Sequence, residues 1–335
     1  MDNVQRVHSQ LLDHTLASPH AVVSHMVAVQ AQDYLGALWA VGVRTKDATE
    51  AAIEKAIAAR KIVRCWPMRG TLHFVAAEDL HWMLDLLSPR VIARHRKRLE
   101  NDFGVDAKTL RRARALLEKE LHGGRAMTRN EVYALLDKAK IATKNSRGLH
   151  ILFALAHEQL LCFGARRGKQ PTFVLLDEWV PRGKSPSDPL LTLAQRYVAS
   201  HGPATSDDFA WWSGITPKEA REAFENIEQP RDARIKKGLV HLLPPFDEYA
   251  VAYRDRTSIL DPAFNKRLNG GGGLLNAIVV IDGIVQGTWK RTLAKDSVAV
   301  TVSRFRAFTT REERALQREV KRYAAFLNAS YSSLS

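Results

Sequence analysis

Cysteine is scarce in this 335-residue chain, which contains only Cys65 and Cys162. Two cysteines so far apart in sequence indicate neither a disulfide framework nor a zinc cluster, and such scarcity is typical of a reducing cytoplasm. No apolar run reaches about 18 residues, so the sequence predicts no membrane span. The first ten residues, MDNVQRVHSQ, lack the apolar core of a signal peptide. We therefore expect a cytoplasmic protein with no membrane partner.

The sequence also lacks the short motifs of metal, nucleotide and triad chemistry, namely HExxH, CxxC, GxSxG and the Walker loop. We therefore predict no metal and no cofactor. Positive charge, in contrast, is in excess. The chain has 50 Lys and Arg residues against 36 Asp and Glu residues, for a net charge of +14. This excess favours a polyanionic partner, nucleic acid first and an anionic membrane second.

Helix-like segments followed by strand-like segments recur three times along the chain. The first pass has helical patterns at 4–16, 19–29 and 48–61, then strand-like runs at 62–66 and 71–75. The second pass contains a capping box at Thr128–Glu131 and a helix at 148–159, and the third ends on the strand-like LVHLL. Helices followed by a hairpin are typical of winged helices, although an unrelated α+β chain stays an alternative.

The predicted fold class is therefore α+β, with three tandem winged-helix units and a β-rich subdomain at the C-terminal end. Asp282-Gly283 predicts a hairpin within that subdomain, and Thr310 opens a terminal amphipathic helix. The predicted segments are 1–100, 101–185, 186–262 and 263–335.

Three polar side chains in RGTLHFV, Arg69, Thr71 and His73, are expected on one strand face, with Leu72 and Phe74 on the other. A strand that displays this set suits a polar cleft, although a strand histidine is often structural. The three residues are candidates for binding substrate or DNA.

The basic loop ARRGKQP lies where the wing of the second unit would be. Its cationic residues, Arg166, Arg167 and Lys169, are candidates for phosphate contacts. The alternative is an ordinary solvated turn.

A third segment, PPFDEYAVAYRDR at 244–256, concentrates acidic, basic and tyrosine side chains. It predicts either a buried ion-pair network or a cleft wall, and the pattern favours the structural role.

The most informative polar residues are Gln30 and Gln32 in HMVAVQAQDYLGALWAVGVRT. Residues two apart on a helix point away from each other, whereas on extended backbone they point the same way. The two amides can act together only if the helix that leads to them ends first.

Together, VQAQDYLGALWAVGVRT, WPMRGTLHFVAAEDL and LLPPFDEYAVAYRDR resemble the bacterial AlkZ/YcaQ-like DNA glycosylases, from about residue 20 to about residue 290. The resemblance implies three winged helices in a C-shaped array and excision of N7-alkylated purines, with possible unhooking of interstrand crosslinks. The family's Gln-x-Gln motif maps onto Gln30 and Gln32, which would be the catalytic residues. The implied partner is double-stranded DNA that contains alkylated purines, and we expect a monomer.

Two amides suit this chemistry because an N7-alkylguanine is cationic and leaves without being protonated. Their oxygens accept hydrogen bonds from an attacking water and stay neutral at every pH. Asp33 would point to the opposite side if the segment is extended. Two alternatives stay open: a winged-helix regulator without catalysis, and a small-molecule enzyme built on the acidic segment.

Overall fold

The computed structural model describes residues 3–271 and 274–335. Its α-helices, in chain order, are α1 (Asn3–Ser9), α2 (Pro19–Met26), α3 (Tyr34–Gly42), α4 (Glu50–Ala58), α5 (Ala77–Phe103), α6 (Ala107–Leu121), α7 (Arg129–Lys138), α8 (Arg147–His157), α9 (Leu176–Trp179), α10 (Pro189–His201), α11 (Ser206–Ser213), α12 (Pro217–Phe224), α13 (Glu248–Val251), α14 (Asn265–Leu268) and α15 (Thr310–Phe326).

The strands are β1 (Ala28–Gln30), β2 (Ile62–Met68), β3 (Thr71–Ala76), β4 (Met127–Thr128), β5 (Leu161–Phe163), β6 (Thr172–Leu175), β7 (Val240–Leu243), β8 (Asn269–Gly271), β9 (Leu274–Leu275), β10 (Ala277–Ile281), β11 (Ile284–Leu293), β12 (Ser297–Arg304) and β13 (Ser330–Leu334). Helices and mainly antiparallel strands are mixed along the chain, so the predicted α+β class is confirmed.

The chain divides into two compact units. Unit 1 contains Met1–Ile53, Leu191–Trp212 and Thr216–Ser335, and unit 2 contains Glu54–Leu190 with Ser213–Ile215. Unit 1 is therefore assembled from both ends of the sequence, whereas unit 2 is nearly continuous. The division into three winged-helix segments and a C-terminal subdomain, at 1–100, 101–185, 186–262 and 263–335, stays a prediction.

In unit 2, strands pack in the order β3-β2-β5-β6-β4. The hairpins β2–β3 and β5–β6 are both antiparallel, as the strand-like runs predict. Helix α6 shows why the sequence folds this way: Ala113, Leu117 and Leu121 recur every four residues and are fully buried. At α7, the Thr128 hydroxyl accepts a bond from the Glu131 N–H and the Glu131 carboxylate accepts one from the Thr128 N–H. The predicted capping box is therefore confirmed.

In unit 1, five strands form a sheet in the order β13-β12-β11-β10-β7. Ile281 pairs with Ile284, and the two residues between them, Asp282 and Gly283, have φ of 49° and 85°. Positive φ at both positions is what a two-residue type I′ turn requires, so the predicted hairpin is confirmed. Helix α15 opens on a capping box at Thr309 and buries one face.

The third pass of the pattern does not end in a hairpin of its own. Strand β7 pairs with β10, which follows it at a distance of more than thirty residues, rather than with a neighbouring strand. The expectation of a hairpin at the end of the third pass was wrong because β7 is the one strand described between residues 186 and 262, and it joins the C-terminal sheet instead. Within the described parts of the chain, no helix has the length and hydrophobicity to cross a membrane.

Candidate active site

The helix that leads to the glutamines ends early enough for them to act together. Helix α2 stops at Met26, three residues before the predicted Val29. Val27 follows with φ of 65°, a conformation that costs free energy for a β-branched residue. The chain then runs as strand β1, whose last residue is Gln30. The helix therefore ends before the two glutamines, as a shared role would require. The shared role itself stays a prediction.

Exposure to solvent within the motif begins only at Gln32. Gln30 is 8% exposed, Ala31 is fully buried and Gln32 is exposed. Ala31 therefore packs in the interior of unit 1, while Gln32 lies at its surface. Asp33 is half-buried and stands at the N-cap of α3.

A buried carboxylate holds the backbone of this segment. Oε1 of Glu248 accepts a hydrogen bond from the Gln30 N–H at 2.8 Å, and Oε2 accepts one from the Trp212 indole at 3.0 Å. Nε2 of His201 lies 3.7 Å from Oε2. Burial lowers the pKa of His201, so this ring is neutral at pH 7. Glu248 itself is 1% exposed, and both of its carboxyl oxygens accept a hydrogen bond.

The neighbouring residue, Asp247, forms a fully buried ion pair. Its two oxygens accept bonds from Nη1 and Nη2 of Arg44, each at 2.8 Å. The same guanidinium also donates to the carbonyl oxygens of Gln10 and Ala40. The acidic segment 244–256 therefore supplies a buried ion-pair network, as its pattern favours.

The same segment also borders a cavity of about 510 Å³ within unit 1. Its walls include Asp33, Trp39, Pro244, Phe246, Trp289 and Arg291. The indole N–H groups of the two tryptophans donate to Leu242 and Leu243 carbonyls, which fixes both rings. The acidic segment therefore contains the ion-pair network and also forms part of a cavity wall.

The predicted polar face of the first hairpin is only partly correct. Arg69 is not on the strand: it occupies the β2–β3 turn with φ of 55°, followed by Gly70 at 79°. Thr71 and His73 do lie two apart on β3. The error arose because the two-residue turn breaks the alternation of side chains before Thr71.

Arg69 and His73 nevertheless meet within unit 2. Nδ1 of the buried His73 lies 3.0 Å from the Thr71 carbonyl oxygen and donates to it, which leaves Nε2 on the side of Arg69. Nη2 of Arg69 lies 3.4 Å from that nitrogen. The cleft that these residues are predicted to share with Gln30 and Gln32 stays a prediction.

The basic loop of the second hairpin is a tight turn. Arg167 and Gln170 exchange backbone hydrogen bonds, which leaves Gly168 and the exposed Lys169 at the tip. The two arginines are paired within unit 2, Arg166 with Glu54 at 2.9 Å and Arg167 with Glu131 at 2.6 Å. Lys169 is exposed at the tip of the loop, and contacts of the three residues with phosphates stay a prediction.

A model of one protein family, described as DNA glycosylase AlkZ-like, matches residues 23–326. The chain belongs to this family. An interstrand DNA cross-link repair glycosylase from Streptomyces sahachiroi is 26% identical over 325 residues, which cover 85% of each protein. The solved structure of the Streptomyces sahachiroi DNA glycosylase AlkZ matches with a TM-score of 0.79 and 22% identity, over 99% of this chain and 97% of that one. At that identity the match shows a shared fold.

Membership in the AlkZ-like DNA glycosylases confirms the predicted family and enzyme class. Sequence reasoning missed three residues of the candidate site in this glycosylase: Glu248, His201 and Trp212. The sequence could have pointed to Glu248, because it lies in the segment 244–256, which is already noted for its charge. No pattern in the sequence indicated His201 or Trp212, because their contacts with Glu248 join positions far apart in sequence.

One cluster in this glycosylase bears on the prediction of no metal. Ligand atoms of His8, Asp13 and His14 lie within 4.8 Å of one another. Both imidazoles bond to the carboxylate, at 2.8 Å and 2.6 Å. Partial burial alone would raise the pKa of Asp13, yet these two hydrogen bonds lower it below its ordinary value. The three side chains therefore satisfy one another.

Proposed function

We propose that this protein hydrolyses the N-glycosidic bond of cationic N7-alkylated purines in double-stranded DNA, as a cytoplasmic monomer. The observation that carries the proposal is the early end of α2, after which Gln30 and Gln32 follow on non-helical backbone with Ala31 buried between them. The relative from Streptomyces sahachiroi is named for interstrand cross-link repair. We extend that substrate class to this chain, with crosslinks of N7-alkylpurines as the bulkier members.

The proposed reaction needs no acid. The N7-alkylpurine leaves with the electron pair of the bond between N9 and C1′, which neutralises its positive charge. A water bonds to C1′ and loses a proton to solvent. The amide oxygens of Gln30 and Gln32 accept hydrogen bonds from that water and hold it in line with the breaking bond. Neutral amides do not protonate a normal purine, so undamaged bases are left in place.

The two hairpins of unit 2 are the proposed contacts to DNA, as the wings of winged-helix units. Their candidate residues are Arg69, Thr71 and His73 in the first hairpin and Arg166, Arg167 and Lys169 in the second. The tandem arrangement of three winged helices in a C-shaped array is part of this proposal. A net charge of +14 supports binding through phosphates.

The test is excision of N7-methylguanine from a duplex, measured as abasic sites under single-turnover conditions. Gln32→Ala should slow excision by about one to three orders of magnitude, the usual scale for one positioning group in a preorganised site. Gln32→Glu should retain more activity than Gln32→Ala, because a carboxylate keeps the acceptor and stabilises the cationic sugar. Gln317→Ala, an exposed glutamine on α15, is the matched control and should excise at the wild-type rate.

Two outcomes would count against the proposal. A wild-type excision rate in the double variant Gln30→Ala, Gln32→Ala would assign the chemistry to other residues. A wild-type protein that binds duplex DNA but releases no N7-alkylpurine would favour the winged-helix regulator.

A further inference from the structure

Glu248 is an acidic residue that the proposed reaction does not use, and it is almost completely buried. An isolated carboxylate in such a place is strongly disfavoured unless hydrogen bonds compensate its charge. Both oxygens are engaged: Oε1 with the Gln30 N–H and Oε2 with the Trp212 indole. With 1% exposure, the carboxylate is not open to a water that attacks DNA. It is therefore poorly suited to act as a general base.

The segment that Glu248 contacts needs external support. Strand β1 has only three residues and follows Val27, whose positive φ is unfavourable for its branched side chain. Such a conformation persists only where the surroundings hold it. A bond from a backbone N–H to a carboxylate is among the stronger hydrogen bonds in proteins, because the acceptor is charged. This bond joins Gln30 to a residue 218 positions later.

We propose that Glu248 is a positioning residue of the glycosylase, which fixes the backbone of Gln30 and so orients both amides of the motif. Its indirect role rests on the proposed function of the glutamines. The Trp212 indole N–H donates a hydrogen bond to the other carboxylate oxygen and thereby fixes the orientation of the Glu248 side chain toward Gln30. Glu248 does not touch the substrate.

Glu248→Gln tests the proposal with little change of shape. The amide keeps one oxygen acceptor, but its NH₂ group then faces either the Gln30 N–H or the Trp212 indole N–H. We expect the single-turnover excision rate to fall by about 10- to 100-fold, the scale of a misplacement of about 1 Å in a catalytic site. Binding of the same duplex should change by less than about twofold, since the phosphate contacts are untouched.

Glu319→Gln is the matched control. Glu319 is another buried carboxylate of unit 1, 6% exposed, and it bonds to Arg322 rather than to the motif. Its loss of charge should leave the excision rate unchanged. A wild-type rate in Glu248→Gln, or an equal loss in both variants, would overturn the proposal. If Glu248→Gln does not fold, Trp212→Phe removes only the second donor and should slow excision by a smaller factor.

Amide hydrogen exchange of residues 27–33, followed by mass spectrometry without DNA, separates this proposal from the proposed function. Exchange should be faster in Glu248→Gln than in the wild type and unchanged in Glu319→Gln. If the wild type excises no N7-alkylpurine, the proposed function fails, and exchange alone decides whether Glu248 holds the segment. Equal exchange in the wild type and Glu248→Gln would overturn the positioning role.

Discussion

The ion pair between Arg44 and Asp247 allows a quantitative test of what holds unit 1 together. Two hydrogen bonds of 2.8 Å join side chains that are 1% and 0% exposed. Asp247→Ala would leave the guanidinium buried without its counter-charge, which typically costs about 3–5 kcal/mol. It would also remove the acceptor of the Tyr249 N–H at the start of α13, worth about 1 kcal/mol.

Part of that cost is offset because Arg44 keeps its bonds to the Gln10 and Ala40 carbonyls. We therefore expect Asp247→Ala to lower the free energy of unfolding by about 3–5 kcal/mol. Arg44→Met should be similarly harmful, since it leaves the carboxylate buried. The double variant should cost less than the sum of the two single changes, by up to about 3 kcal/mol for groups in direct contact.

The assay is urea denaturation of the four proteins of this double-mutant cycle, followed by circular dichroism and tryptophan fluorescence. Asp247→Ala within about 1 kcal/mol of the wild type would refute the reasoning from burial. So would additive losses, because they would mean that the two charges do not interact.

Three further predictions concern DNA binding, packing and pH. Affinity for duplex DNA should fall about tenfold or more for a fourfold rise in salt, and Lys169→Ala should reduce the slope of log affinity against log salt by about one. Flat affinity from low to physiological salt would contradict this. A Cβ at Gly42 would lie 2.5 Å from the Phe326 ring, so Gly42→Ala should lower the free energy of unfolding by about 1–3 kcal/mol in thermal denaturation. Burial lowers the pKa of both His157 and His241 to about 3, below the ordinary value of 6.5. The unfolded chain therefore binds their protons first, and stability present above pH 6.5 should be lost as the pH falls from 6.5 towards 3. The slope is up to about 1.4 kcal/mol per pH unit for each histidine, and replacing His241 by Gln should make the measured slope shallower.

Local signals in the sequence predicted local structure well. The capping box at Thr128 and the turn at Asp282-Gly283 each depend on residues within a few positions, and both are present. Helix α3, in contrast, was not predicted from the sequence. Its residues Gly36–Gly42 are all buried, so the helix has no polar face and its sequence has no amphipathic periodicity.

The details that matter for the candidate site depended on distant residues. The pattern extended α2 to Val29, but the helix stops at Met26 and the Gln30 N–H bonds to Glu248 instead. The identities of the glutamines could be predicted from their spacing and from the family resemblance. The carboxylate behind them could not, because nothing near Gln30 in sequence encodes a contact with a residue 218 positions later.

The discontinuous make-up of unit 1 has a consequence for the order of events during synthesis. A ribosome translates Met1–Ile53 first and then the whole of Glu54–Leu190 before it begins the remainder of unit 1. The early segment must wait for partners such as Glu248, whereas unit 2 can fold as it emerges. A product that terminates before Glu248 would contain both glutamines and no carboxylate to hold them. We therefore expect that chains truncated before Glu248 do not cut glycosidic bonds, and that activity is acquired only after Glu248 has been translated.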